Sequence, residues 1–525
     1  MNLGNRYNQH SFAKVPSANI PRSKFDRSFA VKDTFNFDDL VPFFVDEILP
    51  GDTINLSVDA FIRLAPQVRP LMDNMYIDYF FFFVPNRLVW DNWEKFNGAQ
   101  DNPGDSTDFL IPQTVAPPGS FQFGSIYDHM GIPAGQPYGP VNALPFRAYN
   151  LIWNEWFRDQ NLQNSLPVRK NDGPDPLDYG LVKRAKKHDY FTSALTAPQK
   201  GPAIYMPGNS GTVPVHREEA ASGWRAYIAD SETLAGINPI TIASSPGVVT
   251  NATSQISFDP AGGLVVYPDA MMGTINQLRE AFQMQSLLEL DMRGGTRYTE
   301  ILKSHFNVIS PDFRLQRPEF LSSTSTKINQ HPVTQMSETG TTPQGNLAAY
   351  STASAGGSRV GFSKSFVEHG YVLGLMQARA DVTYQNGLHR MWMRRTRWDF
   401  FWPKLQEIGE QTIYKGELFY TGVTNDDMEP WAYQERHAEY RYKPSEIRGQ
   451  FRSNYAQSLD VWHLAEEFTA VPALNASFIP SSTPIERVLV VPDEDYPHLL
   501  ADFWFNYKHA RPIVTYAVPA SLGRF

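Results

Sequence analysis

The chain predicts a mainly β fold with helix-containing insertions, and three observations carry that prediction. Across 525 residues, 40 prolines and 35 glycines interrupt regular structure about once in seven positions, which favours short strands and long loops over helices. In DTINLSVDAFIRLAP, Ile54, Leu56, Val58, Ala60, Ile62 and Leu64 alternate with Thr53, Asn55, Ser57, Asp59, Phe61 and Arg63, so six apolar side chains share one face of a strand. In IDYFFFFV, Ile77 to Val84, the run is apolar on both faces and implies a strand covered on both sides. That run holds Asp78 and stops at Pro85, far short of the ~20 apolar residues of a membrane-spanning helix.

Residues 1–30 form a polar, basic segment, with Arg6, Lys14, Arg22, Lys24 and Arg27 against Asp26 alone. It reads as a flexible arm, suited either to phosphate or simply to solvent. The strands over 53–64 and 77–84 follow each other closely, which predicts antiparallel pairing between them. Next, LPFRAYNLIWNEWFRDQNL places Tyr149, Ile152, Trp153, Trp156 and Phe157 on one stripe of a helix, for which core packing is the favoured destination. Residues 198–262 and 323–358 are rich in Pro, Gly, Ser and Thr and read as surface excursions. Between them, Thr274 is an N-cap for a helix that stops at Gly294 and Gly295. Strand-like patterns resume in SFVEHGYVLGLMQARADVTYQ, QTIYKGELFY, HAEYRYKP, RVLVV and DFWFNYKHARPIVTYAV.

Composition excludes several chemistries. There is no cysteine, hence no disulfide, thiolate metal site or cysteine nucleophile. No Gly-Lys pair exists for a P-loop, and HExxH is missing; His463 with Glu466 and His437 with Glu439 lack a third ligand at usable spacing. GNSGT, 208–212, lacks the last glycine of a nucleophile elbow. No cofactor or metal is expected. The opening MNLGNRYNQHSF lacks the apolar core of a signal peptide, so a cytoplasmic origin is expected and the three Asn-x-Ser/Thr triplets, at Asn55, Asn251 and Asn475, read as chance.

A formal net charge of −9 argues against a surface that grips nucleic acid everywhere, yet two basic clusters stand out. VKRAKKHDY carries Lys183, Arg184, Lys186 and Lys187. HRMWMRRTRWDFFWP interleaves Arg390, Arg394, Arg395 and Arg397 with Trp392, Trp398 and Trp402. Aromatic faces with guanidinium groups suit unpaired bases and phosphates, and equally suit an obligate protein interface.

Four blocks, DYFFFFVPNRLVWDNWEKFNG, LPFRAYNLIWNEWFRDQNL, LREAFQMQSLLELDMRGGTRYTEILKSHFNVISPDFRLQRPEFL and RTRWDFFWPKLQEIGEQTIYKGELF, together resemble the major capsid proteins of gokushoviruses, single-stranded DNA phages of the Microviridae. The resemblance implies an eight-stranded antiparallel jelly roll over 31–525 with large insertions, built into a T=1 icosahedral capsid around circular single-stranded DNA. It implies further partners: copies of the chain itself, a small basic internal DNA-binding protein, a DNA pilot protein and a host surface receptor, with no membrane insertion. It makes 198–262 the candidate threefold protrusion. The virion, assembled in the host cytoplasm, is the expected location. On this footing Arg6, Lys14, Arg22, Lys24, Arg394, Arg395 and Trp398 are candidate DNA-facing residues, and Trp90, Trp93, Trp153 and Trp156 are candidate inter-subunit residues. The alternatives by class are a β-sandwich glycan-binding protein and a glycoside hydrolase, the latter needing two carboxylates at controlled separation.

Overall fold

The structure, a computed structural model, describes residues 21–115, 121–136, 139–202, 204, 275–294, 298–307, 316–338, 340, 344–356, 360–491 and 496–516, with four short strands between 216 and 265. The chain divides into two compact units, Met1–Thr196 with Ser310–Phe525, and Ala197–Ile309. In the first unit the strands are β1 (Ser23–Asp26), β2 (Phe29–Phe35), β3 (Asp39–Ile48), β4 (Thr53–Leu64) and β5 (Met75–Pro85), followed by helix α1 (Leu144–Ile152). Beyond the second unit come β6 (Glu319–Thr334), β7 (Leu347–Ala355), β8 (Gly361–Ser365), β9 (Gly370–Ala380), β10 (Glu410–Tyr414), β11 (Pro430–Glu435) and β12 (Leu499–Arg511).

All pairings among these strands are antiparallel. One sheet runs β2-β12-β4, and β7 and β8 share the far edge of β4. The other runs β3-β9-β5-β6. This is the two-sheet jelly roll, with its last edge strand split in two and β1 added beside β12. The long β6 belongs to both sheets: Glu319–Ile328 pairs with β5, and Asn329–Thr334 pairs with β7. The close succession of β4 and β5 does not produce a hairpin. The chain between them crosses from one sheet to the other, so each finds its partners elsewhere.

The alternation in β4 puts Ile54, Leu56, Val58, Ala60, Ile62 and Leu64 into the core between the sheets. The phenylalanine run divides by parity. Tyr79, Phe81 and Phe83 join that same core, where Phe43 lies 5.6 Å from Phe81 and 5.2 Å from Phe503. Phe82 and Val84 point the other way, into a second core with α1, Trp90, Leu373 and Leu375. Cover on both faces is therefore real. Gly374 of β9 makes room for it: a Cβ there would stand 2.8 Å from the Cβ of Phe44 and 3.0 Å from the ring of Phe81. Asp78, the charge inside the apolar run, is held by Arg379 (2.7 Å) and Arg184 (3.1 Å).

The second core is pinned by a fully buried ion pair, Arg147 to Asp175, with guanidinium nitrogens donating at 2.8 and 2.6 Å and the Tyr179 hydroxyl donating at 2.6 Å. Burial works against the Asp175 charge, but those donors hold its pKa below the ordinary value. Helix α1 ends in a single π-turn over Trp153–Phe157. The wider turn breaks the simple helical stripe: Trp153 and Phe157 are buried, while Trp156 is part-exposed.

Three expectations are corrected. The segment 323–358 is no loop excursion: it lies mostly in β6 and β7. Ser323, Ser325 and Ser354 take exposed positions, Ser351 is buried and accepts from Gln67 (3.0 Å), and β6 draws its apolar support from β5. Part of the 1–30 arm is ordered, since β1 and the start of β2 pair with β12, and Arg27 holds Asp46 at 2.6 and 3.0 Å. HAEYRYKP and RVLVV are not strands but short 3-10 turns with their flanks, over Ala438–Tyr440 and Ile485–Arg487.

In the second unit, helices α2 (Ile275–Gly294) and α3 (Tyr298–Phe306) are linked by His305 Nε2 to Asp291 at 2.7 Å. Two short antiparallel pairs accompany them, Ala226–Ile228 with Ile256–Phe258 and His216–Arg217 with Leu264–Val265. The proposed cap Thr274 and most of 198–262 lie outside the described residues.

Candidate functional site

A third, smaller core joins Tyr190 and Phe191 to residues that follow β9, Tyr384, Ile413, Leu418, Ala432, Phe478 and Ile479, and is backed by the β10–β11 hairpin. This core carries the arginine- and aromatic-rich segment. Two buried carboxylates anchor it from below. Glu417 accepts from Arg390 (3.0 Å), Tyr190 (3.0 Å) and the Tyr414 amide (3.1 Å). Glu439 accepts from Gln411 (2.6 Å) and Arg394 (3.3 Å). Burial dominates at Glu417 and raises its pKa; at Glu439 burial is outweighed by Gln411 and the two arginines, and the pKa falls.

Such a divergent pair is what an acid/base hydrolase would need. Here, however, each of the four carboxylate oxygens takes a donor from the protein itself, which favours a structural role for both. Among the described residues no group of three or more His, Asp or Glu side chains is placed to hold a metal ion. His463 bonds the Phe451 carbonyl (2.7 Å), while its supposed companion Glu466 pairs with Lys186 (2.7 Å). No described helix is long and apolar enough to cross a membrane.

The arginines therefore differ in what they can reach. Arg390 donates to the Thr412 carbonyl (2.6 Å) and to Glu417, and Arg394 lies on Glu439 and 4.3 Å from the Tyr440 ring centre. Both are mostly buried and tied down. Their contacts hold the segment in place, and Arg394, expected to face DNA, turns its guanidinium onto Glu439. Arg395 is exposed, and Arg397 lies over Trp402 (4.5 Å) and Trp398 (5.4 Å). A capping box fixes this turn, with the Thr396 and Arg395 amides donating to Asp399 Oδ2 at 2.6 and 2.9 Å. Trp398, 59 % exposed, stands beside exposed Phe400, Phe401 and Trp402. An aromatic and guanidinium surface this open is the composition of a contact that another molecule completes.

The other expected residues are scattered. Arg6 and Lys14 lie outside the described residues. Arg22 is exposed and donates to the Thr53 hydroxyl (2.7 Å), and Lys24 is exposed on β1. Trp90 is 0 % exposed, and its indole donates to Asp172 (2.7 Å). Trp153 is buried and donates to the Lys183 carbonyl (3.1 Å). Neither can touch a neighbouring subunit, because each is sealed within its own; their inter-subunit role is withdrawn. Trp93 is half-buried against Phe96 and His369. Trp156 keeps one edge in solvent beneath Arg317, with its indole on the Pro318 carbonyl (3.0 Å). In the first basic cluster, Arg184 and Lys186 are spent on Asp78 and Glu466.

Sequence reasoning missed Glu417 and Glu439 as anchors, as well as Tyr440 and Tyr442. The two arginine-spaced tyrosines in EYRYK were the available signal.

A family model described as "Capsid protein (F protein)" matches residues 13–521. The chain is 60 % identical to capsid protein VP1 of Bdellovibrio phage phiMH2K, with 100 % of both chains covered. It is 40 % identical to capsid protein VP1 of Chlamydia phage 1 and 33 % identical to capsid protein VP1 of Spiroplasma virus 4, each with 97 % of both chains covered.

Proposed function

The chain belongs to the phage capsid protein (F protein) family and is a structural subunit of a phage capsid; from that premise we propose that it closes into a T=1 icosahedral shell around circular single-stranded DNA. The observation that carries the reading is the exposed surface at Arg395, Arg397, Trp398 and Trp402 on a rigid, internally neutralised base. A side chain such as Trp398 gains most when a neighbour or a nucleic acid strand removes it from water, and closed symmetry multiplies that gain over every subunit. Arg395 and Trp398 contact the genome, together with Arg6, Lys14, Arg22 and Lys24 on the N-terminal segment. Trp93 and Trp156 remain the candidates for contact between subunits.

A net charge of −9 leaves the subunit unable to neutralise a genome by itself, which supports a small basic internal DNA-binding protein and a DNA pilot protein as further partners. The second compact unit supports a protrusion at the threefold axes that meets a host surface receptor. Its helix α2 leaves Ile275, Phe282 and Leu287 exposed, and the excursion 198–262 falls within the same unit. The host cytoplasm is the place of assembly and the virion the destination.

Expression of the full chain followed by negative-stain microscopy tests this. Uniform small shells are the expected result, and Trp398→Ala should reduce their yield. Material that stays monomeric under every assembly condition would overturn the reading.

A further inference from the structure

Beside the exposed surface the third core opens into a pocket of about 240 Å³. Its inner wall is aromatic: buried Tyr190, Phe191 and Tyr384, with Tyr442 stacked on Tyr190 at 5.7 Å and 9° between planes. At the rim stand Trp392, 70 % exposed, and the exposed Arg448 and Arg452. His389 also lines the pocket. Its Nδ1 accepts the Met391 amide (3.2 Å), which puts the proton of a neutral ring on Nε2, and burial lowers the ring's pKa.

The walls are preorganised. Gly387 packs so closely on the turn at Glu417 that a Cβ would stand 2.1 Å from the Glu417 carbonyl oxygen, and Leu388 donates to the Gly416 carbonyl (2.9 Å). On the opposite side Gln385 and Ser453 exchange two bonds of 2.9 Å each, tying down the rim segment that carries Arg452. Each carboxylate lining the pocket is paired with a cation of the chain itself. Glu417 and Glu439 are satisfied as described, and Glu446 at the rim is held by Lys443 (3.2 Å) and Arg448.

The size and the lining choose the ligand class. The volume falls below the roughly 300–1,000 Å³ of pockets for larger ligands, so the occupant is one small group. Aromatic faces inside, an internal cation (Arg390) already paired with Glu417, and further arginines at the rim suit a flat, uncharged ring attached to an anionic linkage, which describes an unpaired nucleotide. We propose that this pocket seats a single unpaired base of a single-stranded nucleic acid, stacked on the rim tryptophan Trp392, with its adjoining phosphate on Arg452. The proposal rests on the reading that a single-stranded genome lies against the subunit, and it adds one nucleotide-sized socket to what would otherwise be a sequence-blind surface.

The test uses the purified full chain, titrated with thymidine monophosphate, deoxyadenosine monophosphate and a short oligothymidylate, with tryptophan fluorescence as one readout and calorimetry as the other. Trp392→Ala and Arg452→Gln should each weaken mononucleotide binding at least about tenfold, the scale of one lost base-stacking contact. Because Trp392 and Arg452 are exposed, both variants keep the fold, which a thermal melt verifies. Mononucleotide affinity unchanged in both variants would overturn the pocket, as would binding of a monosaccharide but no nucleotide. The genome reading fails separately: oligothymidylate binding insensitive to Arg395→Gln, Trp398→Ala and salt, with mononucleotide binding still dependent on Trp392, would remove that surface and leave the pocket standing.

Discussion

The two sheets of the jelly roll obey different rules. In β5, Phe81 and Phe83 face the inter-sheet core while Phe82 and Val84 face a second core, so hardly any of the strand meets solvent. In β4 and β12 every other residue is outside: Phe61, Leu500 and Trp504 are 47 to 49 % exposed beside Asp59, Arg63 and Asp502. In the sheet of β3, β9, β5 and β6, the strands β9 and β5 are covered on both faces by the chain itself. The sheet of β2, β12 and β4 keeps one apolar-flecked face open, and any partner that covers it must come from outside these strands. The contrast separates what stabilises the subunit from what it offers to others.

Truncation on the closed sheet should cost most. Phe81→Ala is expected to lower unfolding free energy by about 3–5 kcal/mol, seen as a shifted urea midpoint, because the cavity lies between two sheets that cannot collapse onto it. A loss below about 1 kcal/mol would break the comparison.

A smaller effect is expected from acid, at the end of the open sheet. His509 of β12 is buried with Nε2 3.0 Å from Asp52 and Nδ1 3.0 Å from Arg27; Arg511 also holds Asp52 (2.9 Å), and Asp46 holds Arg27. Burial lowers the pKa of His509 below its usual 6.5, against the pull of Asp52. Folding therefore favours the neutral ring: its contribution is whole above the unfolded value and is lost as pH falls through the folded one. Melting temperature should drop between pH 7 and 5, and His509→Gln should flatten that part of the profile. An unchanged slope in the variant would assign the acid sensitivity elsewhere.

Least costly should be Phe61→Ala on the open face, within about 0.5 kcal/mol for the unassembled subunit. The same substitution in assembled particles sharpens the contrast. If shell stability falls while subunit stability does not, that face is covered in the shell.

These differences also mark where sequence is informative. β4 was legible because a strand covered on one face must alternate, and the phenylalanine run because a strand covered on both need not. The strands of 323–358 were not legible: Ser and Thr resemble loop composition until β5 is known to lie alongside. Trp90 and Trp153 were misassigned because tryptophan suits a core and an interface equally, and only the position of Asp172 and of the Lys183 carbonyl decides. The arginine cluster at 390–397 was visible as composition, but which arginines are free depends on Glu417 and Glu439, more than twenty residues away. The pocket could not be seen at all, since its lining is gathered from 190–191, 384–392, 417, 439 and 442–452.

The place of β12 has a consequence for synthesis. It is the last of the described strands, yet it lies between β2 and β4, which are among the first. The closed sheet has all its strands once residue 380 has left the ribosome, whereas β2 and β4 must wait for 499–511. At bacterial rates of roughly 5–20 residues per second, that interval lasts several seconds or more. During it, Phe43 and Phe44 lack the cover that Phe503 and Phe505 later provide. A nascent subunit is thus an unfinished sandwich until its final strand slides in, and a chain truncated before Leu499 should be a client for chaperones and proteases rather than a smaller building block.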